Sequence, residues 1–123
     1  MKHQDLTAKI IECAYKVHNK LGFGFLESVY QNALMIELDK AGLSAGLQSP
    51  IKVFYEDRIV GDFIADIIVE DKVILELKSL KELHPAHEAQ LTNYLKATGI
   101  EVGFLINFAE SVQIKRRVFT PMG

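Results

Sequence analysis

From Leu6 to Leu21 the apolar residues Ile10, Ile11, Ala14, Val17 and Leu21 recur at spacings of three and four. That pattern predicts an amphipathic helix stopped by Gly22. Gly22-Phe23-Gly24-Phe25 reads as a tight turn. A second helix is predicted from about Leu26 to Ala41, where Val29, Tyr30, Ala33, Leu34, Ile36 and Leu38 form a wide apolar face ahead of Gly42. The pattern then changes to the Ile- and Val-rich runs of strands. One strand covers 51–57, entered through Pro50, with a turn at Glu56, Asp57 and Arg58; two more cover about 59–69 and 73–79. A third helix is predicted over 80–99, with Pro85 suited to a first helical turn and Gly99 to the C-terminal cap. Strands at 101–108 and 111–119 end the chain. The order ααβββαββ describes an α/β domain with a mixed sheet. The strands at 73 and 101, joined through a helix, should be parallel with a right-handed crossover.

Alternation along the strands assigns faces. Phe63, Ala65, Ile67 and Val69 should point one way, and Asp62, Ile64, Asp66 and Ile68 the other. In the next strand Val73, Leu75 and Leu77 share a face, opposite Ile74, Glu76 and Lys78. Matching the apolar sets places Val69 against Val73 across a three-residue loop, Glu70-Asp71-Lys72. It also sets Asp66 opposite Glu76, with Lys78 two positions further on. Facing carboxylates repel. Either Lys78 neutralises them or water bathes them at a sheet end, or they hold a hard divalent cation such as Mg²⁺.

Along the third helix, His87, Gln90, Leu91 and Tyr94 share a face. Gln90 and Tyr94 are long polar groups where a purely structural helix would offer Leu or Ala. His84 reads as a loop or capping residue. Glu27, in a first helical turn, is favoured there by the helix dipole alone. Gly22 and Gly24 before it point to close backbone approach or unusual φ.

Composition narrows the setting. The chain has 123 residues, 49% of them hydrophobic, enough for one domain with its own core spanning 1–123. A net charge of -2 gives no global attraction to polyanions, so any such site must be local. The single cysteine, Cys13, excludes an internal disulfide and suits a small apolar filler in a reducing cytoplasm. No apolar run approaches the ~20 residues that cross a bilayer, and the polar residues after Met1 contain no signal core. A cytoplasmic protein without a membrane partner is expected.

A strand Asp66, then Glu76-Leu77-Lys78 on the next strand, then Gln90 and Tyr94 on a helix resembles the PD-(D/E)xK nuclease superfamily. Gly24-Phe25-Leu26-Glu27-Ser28-Val29-Tyr30 further resembles the small proteins named for a GxxExxY motif, usually placed in that superfamily. The resemblance implies a restriction-endonuclease-like αβββαβ core with an extra N-terminal helix and C-terminal strand. It implies that Asp66 and Glu76, with Glu27, hold Mg²⁺ or Mn²⁺. Lys78 would serve the attacking water or the phosphate charge, and Gln90 and Tyr94 would support the site. Ala65 stands where the Pro of the superfamily's name would fall. The implied activity is metal-dependent hydrolysis of phosphodiester bonds in DNA, by the chain alone, as a homodimer or with an accessory protein. Lys81, Lys96 and the run Lys115-Arg116-Arg117 are candidate phosphate contacts, although the run equally suits a solvated edge strand. The alternative is a catalytically inactive nuclease-like fold that binds nucleic acid or protein.

Overall fold

A computed structural model describes residues 2–121; Met1, Met122 and Gly123 lie outside it. The elements follow the expected order: α1 (Gln4–Leu21), α2 (Glu27–Lys40), β1 (Ala45–Tyr55), β2 (Arg58–Val69), β3 (Val73–Lys78), α3 (Pro85–Thr98), β4 (Val102–Phe108) and β5 (Val112–Val118). The strands form one sheet in the order β1-β2-β3-β4-β5. Only β3 and β4 are parallel, as the intervening α3 requires.

The sheet is packed on both sides. On one, Ile10, Cys13, Ala14 and Val17 of α1 and Tyr30, Leu34 and Leu38 of α2 meet Val73, Leu75 and Leu77. On the other, Leu91, Tyr94 and Leu95 of α3 meet Ile74 and Leu105. Cys13 is the apolar filler its position suggested. Gly103 lets α3 lie close: a Cβ there would stand 2.7 Å from Leu91 Cδ1 and 3.2 Å from Leu95 Cδ2.

Four expectations need correction. Helix α3 begins at Pro85, not at residue 80, because His84 caps it and Asn107 captures the preceding chain: its amide accepts from Leu80 N–H and donates to Leu80 C=O, both at 2.9 Å. Strand β1 begins at Ala45, not at residue 51. As an edge strand it tolerates Pro50, and it carries a left-handed Gln48 (φ 55) that obscures its alternation. Ile36 of α2 is exposed rather than on the buried face. Finally, Ala65 packs beneath α3 with Ile51, whereas Ile67 and Val69 pack toward α1 and α2, so the face assigned to all of them changes at Asp66.

Of the two hairpin turns, the second agrees with the pattern and the first is one residue shorter than expected, with Arg58 already in β2. Val69 pairs with Val73 across Glu70-Asp71-Lys72. Glu56 and Asp57, both left-handed, form a two-residue turn between Tyr55 and Arg58.

Candidate metal and phosphate site

Strand β2 is longer than its partner β3. Their ladder runs from Val69↔Val73 to Ile67↔Leu75 and ends there. At the next position outward the strands part, and the Asp66 side chain replaces the ladder: its Oδ2 accepts from Leu77 N–H at 2.7 Å. The rest of β2 continues with β1 as a two-stranded arm, closed at Tyr55↔Arg58. Asp66 and Glu76 therefore lie where the hairpin opens, near the C-terminal end of a parallel strand, the usual location of ligand sites in open α/β sheets.

Glu76 is buried, and its Oε1 is the one buried side-chain oxygen or nitrogen without a hydrogen-bond partner among the described residues. Burial, then the neighbouring Asp66 carboxylate, push Glu76 up to about 9 against the pull of Lys78. Among the described residues, no ion pair joins Lys78 to either carboxylate. Neutralisation by Lys78 in direct contact is therefore not what resolves the repulsion.

Glu27 approaches from the first turn of α2. Burial raises its pKa, Lys78 lowers it and Asp66 raises it further, so it shares their electrostatic neighbourhood. The turn before it is held from several sides. Gly22 and Gly24 have φ of 71 and 113, values that favour glycine. The fully buried Tyr30 donates its hydroxyl to Gly22 C=O at 2.6 Å and accepts from Phe25 N–H at 3.3 Å, while its ring stacks on Phe108 at 4.5 Å. Ser79, just after β3, donates to Phe25 C=O at 2.7 Å. The glycines, the glutamate and the tyrosine of this segment thus form one local device that seats Glu27 beside the end of β3.

Helix α3 supplies the opposite wall. Gln90 Nε2 donates to Tyr94 Oη at 2.9 Å. Burial and then Glu76 raise the Tyr94 hydroxyl pKa, and Asp66 adds to the effect. His84 and His87 cap α3: Ala86 N–H donates to His84 Nδ1 at 3.0 Å and His84 N–H to His87 Nδ1 at 3.2 Å. Burial, then the positive charge of Lys78, lower the His87 pKa.

Asp66, Glu76, Lys78, Glu27, Gln90 and Tyr94 are therefore gathered at one end of the sheet. The basic candidates are not. Arg117 pairs with Glu88 at 2.8 Å, and Arg116 lies over the Phe104 ring on the α1 side, 5.7 Å from its centroid. With Lys115 they belong to β5, which β4 separates from β3. Lys81 borders a separate hollow with Phe23 and Glu82. Lys96 alone lines the groove that leads to Tyr94. Sequence reasoning missed Asn107, which pairs with Lys78 in the sheet and fixes Leu80. A lone Asn inside the apolar run 102–108 was the signal for it.

The residues fit a hard divalent cation. Carboxylate oxygens are its preferred donors, and an unpartnered buried oxygen beside a second carboxylate is a position where such an ion removes a cost. Among the described residues, no three His, Cys, Asp or Glu side chains close a cluster around one point. A pair of carboxylates completed by water is the arrangement that suits Mg²⁺.

A sequence model of the PD-(D/E)XK nuclease superfamily matches residues 4–118, and the chain belongs to that superfamily. No curated protein matches it. Among solved structures it is similar to the crystal structure of SSO0001, with a TM-score of 0.59 at 16% identity, over 79% of this chain and 52% of that one. The chain thus spans about half the length of SSO0001, and at that identity the likeness is one of fold. The mixed five-stranded sheet with helices on both faces is the restriction-endonuclease-like arrangement.

Proposed function

We propose that the protein is a metal-dependent nuclease that hydrolyses phosphodiester bonds in DNA. The observation that carries this reading is the buried, unpartnered Glu76 Oε1 beside Asp66 where β2 and β3 separate. An apolar side chain would be more stable there, and a bound cation accounts for a carboxyl kept at that place.

In this reading Asp66 and Glu76 hold Mg²⁺ or Mn²⁺, and Glu27 acts through water from the start of α2. A bound divalent ion supplies Lewis-acid polarisation of the phosphoryl oxygen and a water of lowered pKa. Lys78 offsets negative charge developing on the phosphate, a role suited to an ammonium with no carboxylate in direct contact. Tyr94, held by Gln90, closes the site on the α3 side and limits water around Glu76.

Calorimetric titration of Mn²⁺ and Mg²⁺ into the wild type and Asp66→Ala tests the site without a choice of substrate. Specific binding lost in the variant is expected, followed by metal-dependent cleavage of DNA that Lys78→Met abolishes while metal binding remains. Binding that persists in an Asp66→Ala/Glu76→Ala double variant would place the metal elsewhere and overturn the assignment. Metal binding without cleavage of any DNA would favour a non-catalytic binding module.

A further inference from the structure

Between Arg58 and Ala65 strand β2 pairs with β1 alone, and this arm lies beside α3. Between them runs a groove of about 910 Å³, with Val53, Phe54 and Phe63 on the arm facing Gln90, Asn93 and Tyr94 on the helix. One wall of it stands against the candidate site, because Tyr94 lines the groove and packs in one buried cluster with Ala65, next to Asp66 in β2, and Ile74, two residues before Glu76 in β3. The Phe63 and Tyr94 rings are 5.8 Å apart. Phe54 is 60% exposed and Phe63 44%, so both rings present apolar surface to whatever enters.

The chemistry of this lining is selective. Lys96 is its one cationic side chain among the described residues, far too little to track the two charged backbones of a duplex. Aromatic faces with the exposed amides of Gln90 and Asn93 suit flat, hydrogen-bonding, uncharged rings instead. Nucleobases freed from pairing have that character, and stacking on aromatic side chains is how unpaired strands are held without a strongly basic surface.

We infer that this groove binds unpaired nucleotides, stacking their bases on Phe54 and Phe63 and thereby delivering the adjoining phosphate to Asp66, Glu76 and Lys78. The inference rests on the nuclease reading above and narrows it to single-stranded DNA or to duplex ends and junctions with unpaired bases. The place of Tyr94, in the wall of the groove and in the buried cluster with Ala65 and Ile74, carries the assignment; the net charge of -2 points the same way. Phe54 and Phe63 are thus specificity-determining residues rather than catalytic ones.

The test is fluorescence anisotropy with a labelled oligothymidylate and a blunt duplex of equal length, in Ca²⁺ to suppress turnover. Wild type, Phe54→Ala/Phe63→Ala and Phe54→Leu/Phe63→Leu are compared, each checked for folding by circular dichroism. The leucine pair keeps apolar bulk and loses the ring faces. Tighter binding of the single strand is expected, weakened roughly ten- to a hundred-fold in the alanine pair and substantially in the leucine pair. Mn²⁺ binding by calorimetry should be unchanged in both. Intact metal binding with equal affinity for the duplex, and no effect of either pair, would overturn the inference and leave the nuclease reading standing. Wild type that binds neither Mn²⁺ nor oligonucleotide would overturn both. If sedimentation instead finds a dimer that the alanine pair dissociates, the arm is covered by a second copy and the inference also fails.

Discussion

Glu76 ranks among the most consequential residues of the chain because its charge works against the fold until something cationic joins it. Its carboxyl is raised from 4.5 to about 9, chiefly by burial. The folded state therefore binds a proton that the unfolded state has already released through that interval. Folding stability must then fall as pH rises from about 4.5 toward 9. In chelator, urea denaturation between pH 5.5 and 8.5 should show this decline. Glu76→Gln should flatten it and raise stability at pH 8 by on the order of a few kcal/mol. Mg²⁺ should have the opposite trend on the wild type, stabilising more at higher pH, because binding requires the deprotonated carboxylate. A wild type whose metal-free stability is level across that range would show that Glu76 is ionised without help.

Elements determine whether such residues meet. Tyr30 and Gly103 lie off the chemistry, yet each fixes one wall of the site. Tyr30→Phe keeps the stack on Phe108 and removes the hydroxyl shared by Gly22 and Phe25. Stability should fall by about 1 kcal/mol, and hydrogen exchange should quicken across residues 22–26 more than in the sheet. Uniform quickening would mean that the hydroxyl supports the whole fold rather than the turn. For Gly103→Ala two effects oppose one another. Reduced freedom of the unfolded chain favours alanine by about 0.4–1 kcal/mol. The contact at 2.7 Å with Leu91 costs about 1–3 kcal/mol through overpacking. Net destabilisation is expected in urea unfolding, and a neutral or stabilised variant would show that α3 can shift freely on the sheet.

The same elements explain what the sequence made legible. Period and alternation located every helix and strand, and matching Val69 to Val73 brought Asp66 and Glu76 to the place where the strands part. Alternation could not reveal that β2 changes face at Asp66, because the change comes where its ladder with β3 stops at Ile67↔Leu75, although β3 itself continues to Lys78. Nor could local pattern find the start of α3: Leu80 and Leu83 look helical, and the amide that holds Leu80 out of the helix is 27 residues away in β4. Glu27, Gly22, Gly24 and Tyr30 were visible as a motif, but their unity is a matter of hydrogen bonds across the turn.

At the scale of the molecule, the distribution of charge constrains how a polyanion can be held. The chain has 14 Lys and Arg against 16 Asp and Glu. Most cations near the ends of the sheet are already committed: Arg117 to Glu88, Lys52 to Asp62, Lys2 to Glu101. Lys78 and Lys96 are the cations that face the site and its groove. With about two phosphates neutralised, the affinity for a single strand should fall with salt at a slope of about -1.4 on logarithmic axes. Apolar stacking supplies the remainder and is insensitive to salt. Anisotropy titrations in Ca²⁺ at several salt concentrations measure that slope, and Lys96→Ala should reduce its magnitude by about 0.7. A slope steeper than about -3, lessened by substitutions in Lys115-Arg116-Arg117, would instead require a bound strand that crosses β4 to reach β5. That path would run over the α3 side of the sheet, where Glu88 and the helix itself stand in the way, so the shallow slope follows from the layering of the fold as much as from its charge.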